Sequence, residues 1–306
     1  PIIHSRILTG ILRHADGMWT KTGFFTNLLY RANEYDDFAR TRPTLYFTAE
    51  EEERGRAGLK KMGIDLEKDW FICFYARDSV YLQTTQPFND WSYHDYRNAD
   101  INTFRKAIEH IVNQGGFAIR MGQYVGKPLE FSHPRIIDYA THFREDFMDI
   151  YLSAKCKFFM GSLAGISDVT FCFDTPRLGL NISPPGNAPH SRDCLHIPKK
   201  VKSLKTGDYV PYRHFFSDIK DFRDRALWEG HRLAERGYTY ENNTEEEIFN
   251  ATVEMMERLS GTFAPTEEDQ VLQEKYFSLI PSDHWAAEIK TPIGRDFLKR
   301  YVHLLQ

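Results

Sequence analysis

Residues 69–80 read DWFICFYARDSV, and this stretch decides the fold. The run from Trp70 to Tyr75 is continuously apolar, which is typical of a strand buried on both faces of a parallel sheet. Arg77 and Asp78 follow the run directly. Ligands of open parallel sheets bind beyond the carboxyl ends of the strands. The two charged residues are therefore candidates for a binding site.

Strand and helix patterns alternate around this stretch, from residue 69 to residue 205. They predict helices over residues 100–114, 147–155 and 165–173, strands over 117–122, 156–161 and 177–182, and a looser piece around 134–140. Short strands separated by helices are typical of βαβ units. The sequence thus predicts an α/β fold with a Rossmann-like parallel sheet flanked by helices.

Changes in the strand and helix patterns along the chain predict three parts. Residues 1–65 form an N-terminal lobe or its remnant, 66–205 the Rossmann-like donor-binding domain, and 206–306 a helical C-terminal extension that packs on the sheet domain. Thr48 and Thr244 each precede a glutamate by three residues, the spacing of a capping box, and so predict two helix starts.

Three predicted strands end in residues suited to phosphate. The free amides of a helix start and the hydroxyls of Ser162 and Ser167 can cradle an anion, and arginines offer forked donors to phosphate oxygens. The layout predicts a diphosphate pocket, although neither a P-loop nor a dinucleotide-binding glycine motif is present. The candidate residues at these strand ends are Arg77, Asp78, Ser79, Arg120, Gly122, Gly161, Ser162, Gly165, Ile166 and Ser167.

The loop WSYHDYRNAD, residues 91–100, adds polar and aromatic groups at the same edge. Its side chains could hold a hydroxyl-rich substrate or the donor phosphate, with Arg97 as a donor-binding residue. His94 or Asp78 is the candidate that accepts the proton of an acceptor hydroxyl. Asp100 is expected to cap the next helix.

Each feature also has a purely structural interpretation. Arg77 or Arg120 could form an ion pair at a sheet edge, and the turn GSLAG, residues 161–165, could be an ordinary strand-to-helix connection. The loop 91–100 could be a solvated link. The coincidence of three similar strand ends favours a site.

Composition limits the class of protein. The 306 residues carry a formal net charge of −4, which argues against a nucleic-acid partner. No apolar run reaches the roughly 18 residues of a spanning helix, and the start resembles no signal peptide. The four cysteines show no CxxC spacing and the histidines form no HxH or HExxH, so reduced thiols in a cytoplasmic protein without a metal site are expected.

Several of these segments together resemble a bacterial glycosyltransferase family of the GT-B type, linked to surface-polysaccharide synthesis. The resemblance rests on FICFYARDSVYL, WSYHDYRNADINTF, GFAIRMG, the segment 149–181, EEEIFNATVEMMERL and TPIGRDFLKRYVHLL, and covers residues 43–306. It implies a two-lobed fold with the donor in the C-terminal lobe. Only about 65 residues precede that lobe, so the N-terminal lobe is expected to be short or incomplete.

A more distant similarity concerns the first strand. Its end is similar to the His-x-Arg-Arg-x-Asp strand of GDP-fucose-using fucosyltransferases, whose arginine grips the donor β-phosphate. Here the residues are Tyr75, Ala76, Arg77 and Asp78, with no histidine and one arginine. Guanosine specificity therefore does not follow.

The resemblance implies transfer of a hexosyl or deoxyhexosyl group from a nucleotide-diphosphate sugar to a glycan or another hydroxyl acceptor. Arg77 and Arg120 would neutralise charge on the leaving diphosphate, so neither a metal nor another cofactor is expected beside the nucleotide-sugar co-substrate. Peripheral association with the inner membrane surface is compatible with this role. Two alternatives stay open: another sugar-nucleotide enzyme, such as an epimerase or a pyruvyl transferase, or a non-catalytic carbohydrate-binding subunit.

Overall fold

The strand predicted from FICFY lies inside a six-stranded parallel sheet. The computed structural model describes residues 41–43, 45–189, 192–221, 223–288 and 290–306. The strands follow the order β3-β2-β1-β4-β5-β6, and every neighbouring pair is parallel. Their bounds are β1 Phe71–Tyr75, β2 Phe117–Arg120, β3 Ile136–Ile137, β4 Phe159–Gly161, β5 Arg177–Ile182 and β6 Leu195–Pro198. The predicted α/β fold with a Rossmann-like sheet is confirmed. Of the predicted N-terminal lobe, residues 1–65, the part before residue 41 lies outside the described residues, and the lobe stays a prediction.

Helices cover both faces of the sheet. In the described residues, four short 3₁₀ turns span Ser92–Arg97, Ile101–Phe104, Arg225–Leu227 and Val302–Leu305. The helices are α1 Ala49–Lys61, α2 Val80–Thr85, α3 Arg105–Asn113, α4 Tyr139–His142, α5 Asp146–Lys155, α6 Gly165–Phe173, α7 Tyr212–Asp218, α8 Gly230–Glu235, α9 Glu245–Ser260, α10 Glu267–Ser278 and α11 Arg295–Arg300. None of the helices in the described part of the chain is long and apolar enough to cross a membrane.

The apolar run of β1 serves two cores at once. Ile72 and Phe74 join the larger core, together with α3 and α9. Phe71 and Cys73 point to the opposite face and join a smaller core with α1 and α5. Because successive side chains of a strand alternate between faces, a strand covered on both sides needs an unbroken apolar sequence.

The helix starts follow the sequence signals. Thr48 and Glu51 form a capping box at α1, and Thr244 and Glu247 form another at α9. The Asp100 carboxylate accepts a hydrogen bond from the Asn102 amide at the start of the turn that leads into α3. These three predictions are confirmed.

A small two-stranded sheet, which the sequence patterns did not predict, joins the end of the sheet domain to the C-terminal part. β7, Lys200–Ser203, pairs in antiparallel fashion with β8, Tyr238–Glu241. The fully buried Lys200 ammonium bonds to the Glu247 carboxylate at 3.0 Å, which fastens this small sheet to α9. α9 also contacts α3, β5 and β6. Residues of this part share the larger core with the sheet, while the division at residue 205 stays a prediction.

Two asparagines join the end of β5 to the start of α9. The backbone N–H of Asn181 donates to Asn243 Oδ1 at 2.6 Å, and the backbone N–H of Asn243 donates to Asn181 Oδ1 at 2.7 Å. The Asn243 side chain also donates to the Pro198 carbonyl at the end of β6, at 2.9 Å. Asn181, Asn243 and Pro198 are all buried. These three hydrogen bonds therefore fix the backbone just before Lys199.

Gly161 lets β4 approach β1 at the carboxyl edge of the sheet. It pairs with Tyr75 and has a φ of +147°, a region that side chains disfavour. A Cβ built on Gly161 would lie 1.9 Å from the Tyr75 carbonyl oxygen. Only glycine fits here without moving the backbone that precedes Arg77.

Replacing Gly161 should therefore destabilise the fold. Gly161→Ala is expected to lower the free energy of unfolding by about 3 kcal/mol or more, because the new methyl group overlaps backbone. Gly165→Ala is the matched control, since its Cβ meets nothing within 4 Å. Urea unfolding of both variants measures the difference, and a Gly161→Ala protein within 1 kcal/mol of the parent contradicts the packing argument.

Candidate anion-binding site

A cavity opens where the strand order changes direction. β2 and β3 lie on one side of β1, while β4 to β6 lie on the other, so the chain leaves β1 and β4 toward opposite faces. Such a switch point is where open α/β sheets bind ligands. The cavity has a volume of about 610 Å³. Among the described residues it is lined by Tyr75, Arg77, Asp78, Tyr81, Leu82, Trp91, His94, Arg97, Gly122, Gln123, Tyr124, Arg144, Asp146, Asp149, Ile150, Ala164, Gly165, Ile166 and Val169.

The 3₁₀ turn Ser92–Arg97 is tied to both strand ends by arginines. Nη1 of Arg77 donates to the His94 carbonyl at 3.3 Å and to Oδ1 of Asn98. Nη2 of Arg97 donates to the Leu163 carbonyl, after β4, at 2.9 Å. Neither guanidinium forms an ion pair with a carboxylate in the described part of the protein. The two predicted donor-binding residues thus share one wall of the cavity.

Lys199 supplies a third cation behind this wall. Its ammonium donates to the Tyr96 carbonyl at 2.7 Å and to the Asn98 carbonyl at 2.8 Å. The residue is 2% exposed, and burial, followed by the charges of Arg77 and Arg97, lowers the pKa of Lys199 to about 7. Sequence reasoning missed it because β6 was not predicted. The available signal was a lysine placed directly after LHIP, residues 195–198.

Buried cations elsewhere in the described chain are paired. Arg120 lies 3.3 Å from Asp138, Arg177 lies 3.5 Å from Asp168, and Lys200 bonds to Glu247. Arg77 and Lys199, both buried beside the cavity, have carbonyl and amide oxygens as partners instead. A buried charge without a counterion is costly. Arg77 and Lys199 therefore place positive charge beside the cavity without a carboxylate as hydrogen-bond partner in the described residues.

The start of α6 faces the same cavity. The amides of Ser167 and Asp168 bond back to the Ala164 carbonyl, whereas those of Gly165 and Ile166 find no acceptor in the described residues. Free amides and the helix dipole favour an anion at this end. A Cβ on Gly165 would meet nothing within 4 Å, so the approach is open.

Other predicted residues lie away from this cavity. The Ser167 hydroxyl donates to the Ala164 carbonyl and accepts from Arg177, and Gly161 and Ser162 are buried beneath the turn. Arg120 is held by Asp138 and the Lys127 carbonyl. The structure therefore brings together Arg77, Asp78, His94, Arg97, Gly122, Gly165 and Ile166, and does not bring Ser79, Arg120, Gly161, Ser162 or Ser167 to the same cavity.

Ser79 and Arg120 line a second, smaller cavity of about 260 Å³. Asp78 belongs to both cavities, so the segment that follows β1 separates them. The remaining polar wall of the smaller cavity includes the Asp100–Lys127 ion pair at 2.6 Å. Its charges are thus largely paired within the protein.

Asp78 has a positioning task in the structure. One carboxylate oxygen accepts the Val80 amide at 3.0 Å and the other accepts the Gly126 amide at 2.8 Å. These bonds fix the start of α2 and the loop that follows β2. Both oxygens already hold backbone amides, which makes Asp78 a weaker candidate for accepting a substrate proton.

His94 lines the cavity, with its ring parallel to that of Trp91 and tilted against that of Tyr93. The ring centroid lies 6.1 Å from that of Trp91 and 4.1 Å from that of Tyr93. Nδ1 is buried and has no hydrogen-bond partner in the described chain. Burial lowers the pKa of His94, and the neighbouring Arg97 and Arg77 lower it further. The imidazole is therefore neutral at pH 7 and able to accept a proton.

The cavity lining also includes charged residues that the sequence did not single out. Arg144 bonds to Asp149 at 2.9 Å and also to Asp146, and the Tyr139 hydroxyl donates to Asp149 at 2.8 Å. Burial raises the pKa of Asp149. In the described residues no group of three His, Cys, Asp or Glu side chains could hold a metal ion. Both carboxylates pair with the single guanidinium of Arg144, whereas Arg77 and Arg97 have no carboxylate partner in the described residues.

Comparison with known proteins found a weak structural similarity to a solved protein. No family model matches the chain, and no curated protein matches it. A solved structure, the glycosyl transferase family 9 protein from Veillonella parvula DSM 2008, is similar at 11% identity with a TM-score of 0.41. The match covers 70% of this chain and 53% of that one, so the described sequence spans about half of that protein's length. At this identity and TM-score the likeness carries no argument about activity.

Proposed function

We propose that this protein is a glycosyltransferase that takes a sugar from a nucleotide-diphosphate donor and transfers it to a hydroxyl of a glycan or another acceptor. Binding of the donor is supported by three cations without a carboxylate partner in the described residues, Arg77, Arg97 and Lys199. They lie beside a cavity of about 610 Å³ at the switch point of the sheet. The transfer of a sugar is inferred from the resemblance of the sequence to a glycosyltransferase family of the GT-B type, described above.

The diphosphate fits the wall that carries Arg77, Arg97 and the free amides of Gly165 and Ile166. Two guanidinium groups and a helix start can bind several phosphate oxygens at once. The aromatic rings around the mouth suit the base or the C–H face of a sugar, since Tyr81 and Tyr124 lie 6.1 Å apart at the cavity edge.

Transfer breaks the bond between the anomeric carbon and the β-phosphate oxygen, and the electron pair leaves with the diphosphate. The cations and the α6 amides stabilise that growing negative charge without reorganising. Because the protein itself supplies this charge, the proposal includes independence from added metal. The acceptor oxygen forms the new bond to the anomeric carbon and loses its proton to a base.

His94 is the base that the geometry favours. Its ring lines the cavity and is neutral at pH 7, whereas both oxygens of Asp78 hold backbone amides. Binding of a diphosphate would offset the charges of Arg77 and Arg97 and so raise the pKa of His94 toward the range in which it accepts a proton well.

Product analysis tests the proposal directly. The protein is incubated with nucleotide sugars of several bases, with and without a hydroxyl acceptor, in the presence of EDTA. Mass spectrometry should find acceptor-dependent release of nucleoside diphosphate and a glycosylated product. A converted sugar without release indicates an epimerase, and binding without turnover indicates a carbohydrate-binding subunit. Activity that EDTA abolishes and manganese or magnesium restores contradicts the metal-independent part.

Removing a cation should remove donor affinity. Arg77→Ala and Arg97→Ala are each expected to weaken binding of a nucleoside diphosphate by at least tenfold, since a charge-assisted hydrogen bond contributes about 1.5–3 kcal/mol. Isothermal titration calorimetry measures the change. Arg213→Ala, on the exposed surface of α7, is the matched control. If both cavity variants are folded and bind as tightly as the parent, the diphosphate site lies elsewhere.

Replacing His94 should separate turnover from binding. His94→Ala is expected to lower kcat about 100-fold or more while donor affinity stays nearly intact, because general-base catalysis contributes at that scale. His214→Ala, an exposed histidine of α7, is the control. Asp78→Asn tests the other candidate for the base. If a stable Asp78→Asn protein loses more kcat than His94→Ala, Asp78 is the residue that accepts the proton of the acceptor hydroxyl.

A further inference from the structure

Lys199 is buried, is not among the residues that line the cavity, and is nonetheless bonded to the segment that forms its basic wall. Its ammonium holds the Tyr96 and Asn98 carbonyls, one residue on either side of Arg97. The Asn98 side chain in turn accepts from Arg77. The position of the turn that carries both His94 and Arg97 therefore depends on an ammonium anchored at the end of β6.

The charges facing Lys199 come from several elements. Arg77 follows β1 and Arg97 ends the 3₁₀ turn, and both are positive. Within the same turn Asp95 is exposed and acts on Arg77. On its own segment, Lys200 is paired with Glu247. Further groups near the turn are the neutral phenols of Tyr96 and Tyr240, the neutral His94, and Glu229, which is bonded to Arg225.

We propose that Lys199 is a positioning residue whose protonation is coupled to anion binding in the cavity, so that the site takes up a proton when its anionic ligand arrives above neutral pH. The proposal rests on the proposed anion site and adds its regulation. A dianion beside Arg77 and Arg97 offsets the two charges that oppose protonation of Lys199, and the two carbonyl acceptors stand ready for the ammonium form.

The sign of the coupling follows from linkage. Below pH 7 Lys199 is protonated with or without the anion, so affinity is highest there. As pH rises, the free protein loses this proton first, and the anion must restore it, which weakens apparent binding. Arginines stay charged throughout, and the pKa of His94 is lowered in the free protein by burial, Arg97 and Arg77. Because an anion also offsets those two charges at His94, the comparison of the parent with the Lys199 variants between about pH 7 and 9 assigns the proton to Lys199.

Inorganic sulfate is a suitable probe because it remains a dianion across this window. Its dissociation constant is measured by calorimetry from pH 6.5 to 9 at constant ionic strength, for the parent, Lys199→Met, Lys199→Arg and the exposed control Lys205→Met. The parent and the control should lose affinity by about tenfold over the range, the equivalent of a one-unit pKa shift. Lys199→Met should bind weakly at every pH, and Lys199→Arg should bind without pH dependence.

A second measurement needs no variant. The binding enthalpy of the parent at pH 8, taken in two buffers of different ionisation enthalpy, should reveal proton uptake on sulfate binding. Equal enthalpies overturn the coupling, as does a Lys199→Met protein with the parent's pH profile. If the affinity of the parent is constant from pH 6.5 to 9, the proposed coupling is wrong, but the anion site stands. Absence of sulfate binding at any pH removes the anion site as well, so the two failures are distinguishable.

Discussion

Two cations bind one short segment of backbone and a third belongs to it, and the candidate site depends on this arrangement. Arg77 binds the His94 carbonyl, Lys199 binds the carbonyls of Tyr96 and Asn98, and Arg97 within the segment reaches back to Leu163. The segment thereby connects the ends of β1, β4 and β6. These bonds satisfy the hydrogen-bonding capacity of the carbonyls but leave the positive charge uncompensated, which is what an anionic ligand would supply.

The rest of the fold serves to hold that charge in place. The strand order brings β1 and β4 side by side, and Gly161 allows the close contact with Tyr75 that sets the backbone before Arg77. The paired charges of Lys200 and Glu247 fasten the small sheet to α9 just beyond Lys199. Buried ion pairs thus fasten elements of the fold together, whereas Arg77 and Lys199, beside the cavity, have carbonyl and amide partners.

Much of this arrangement could be predicted from the sequence, for local reasons. The apolar run 71–75 and the capping boxes at Thr48 and Thr244 determine structure within a few residues. The alternation of patterns was enough to predict parallel pairing and to place Arg77 at the site edge. β6, β7 and β8 were missed because their segments, LHIP, KVKS and YTYE, are too short to show a period.

The site itself needed tertiary information. The hydroxyl of Ser167 turned out to bond within its own turn, and Arg120 to pair with Asp138, which no spacing in the sequence reveals. Lys199 joins the site across about a hundred residues, through hydrogen bonds to Tyr96 and Asn98. Whether a charged residue is paired or free depends on such distant neighbours, and this distinction carries the functional proposal.

The central claim is that the unpaired cations form a diphosphate site, and thermal unfolding with a panel of nucleoside mono- and diphosphates tests it most directly. At 100 times its dissociation constant a ligand stabilises the folded state by about 2.7 kcal/mol, which raises Tm by several degrees. The account predicts such a shift with at least one nucleoside diphosphate, a smaller shift with its monophosphate at equal concentration, and a clearly smaller shift in Arg97→Ala than in the parent. A panel without any shift, or an equal shift in Arg97→Ala, would contradict it.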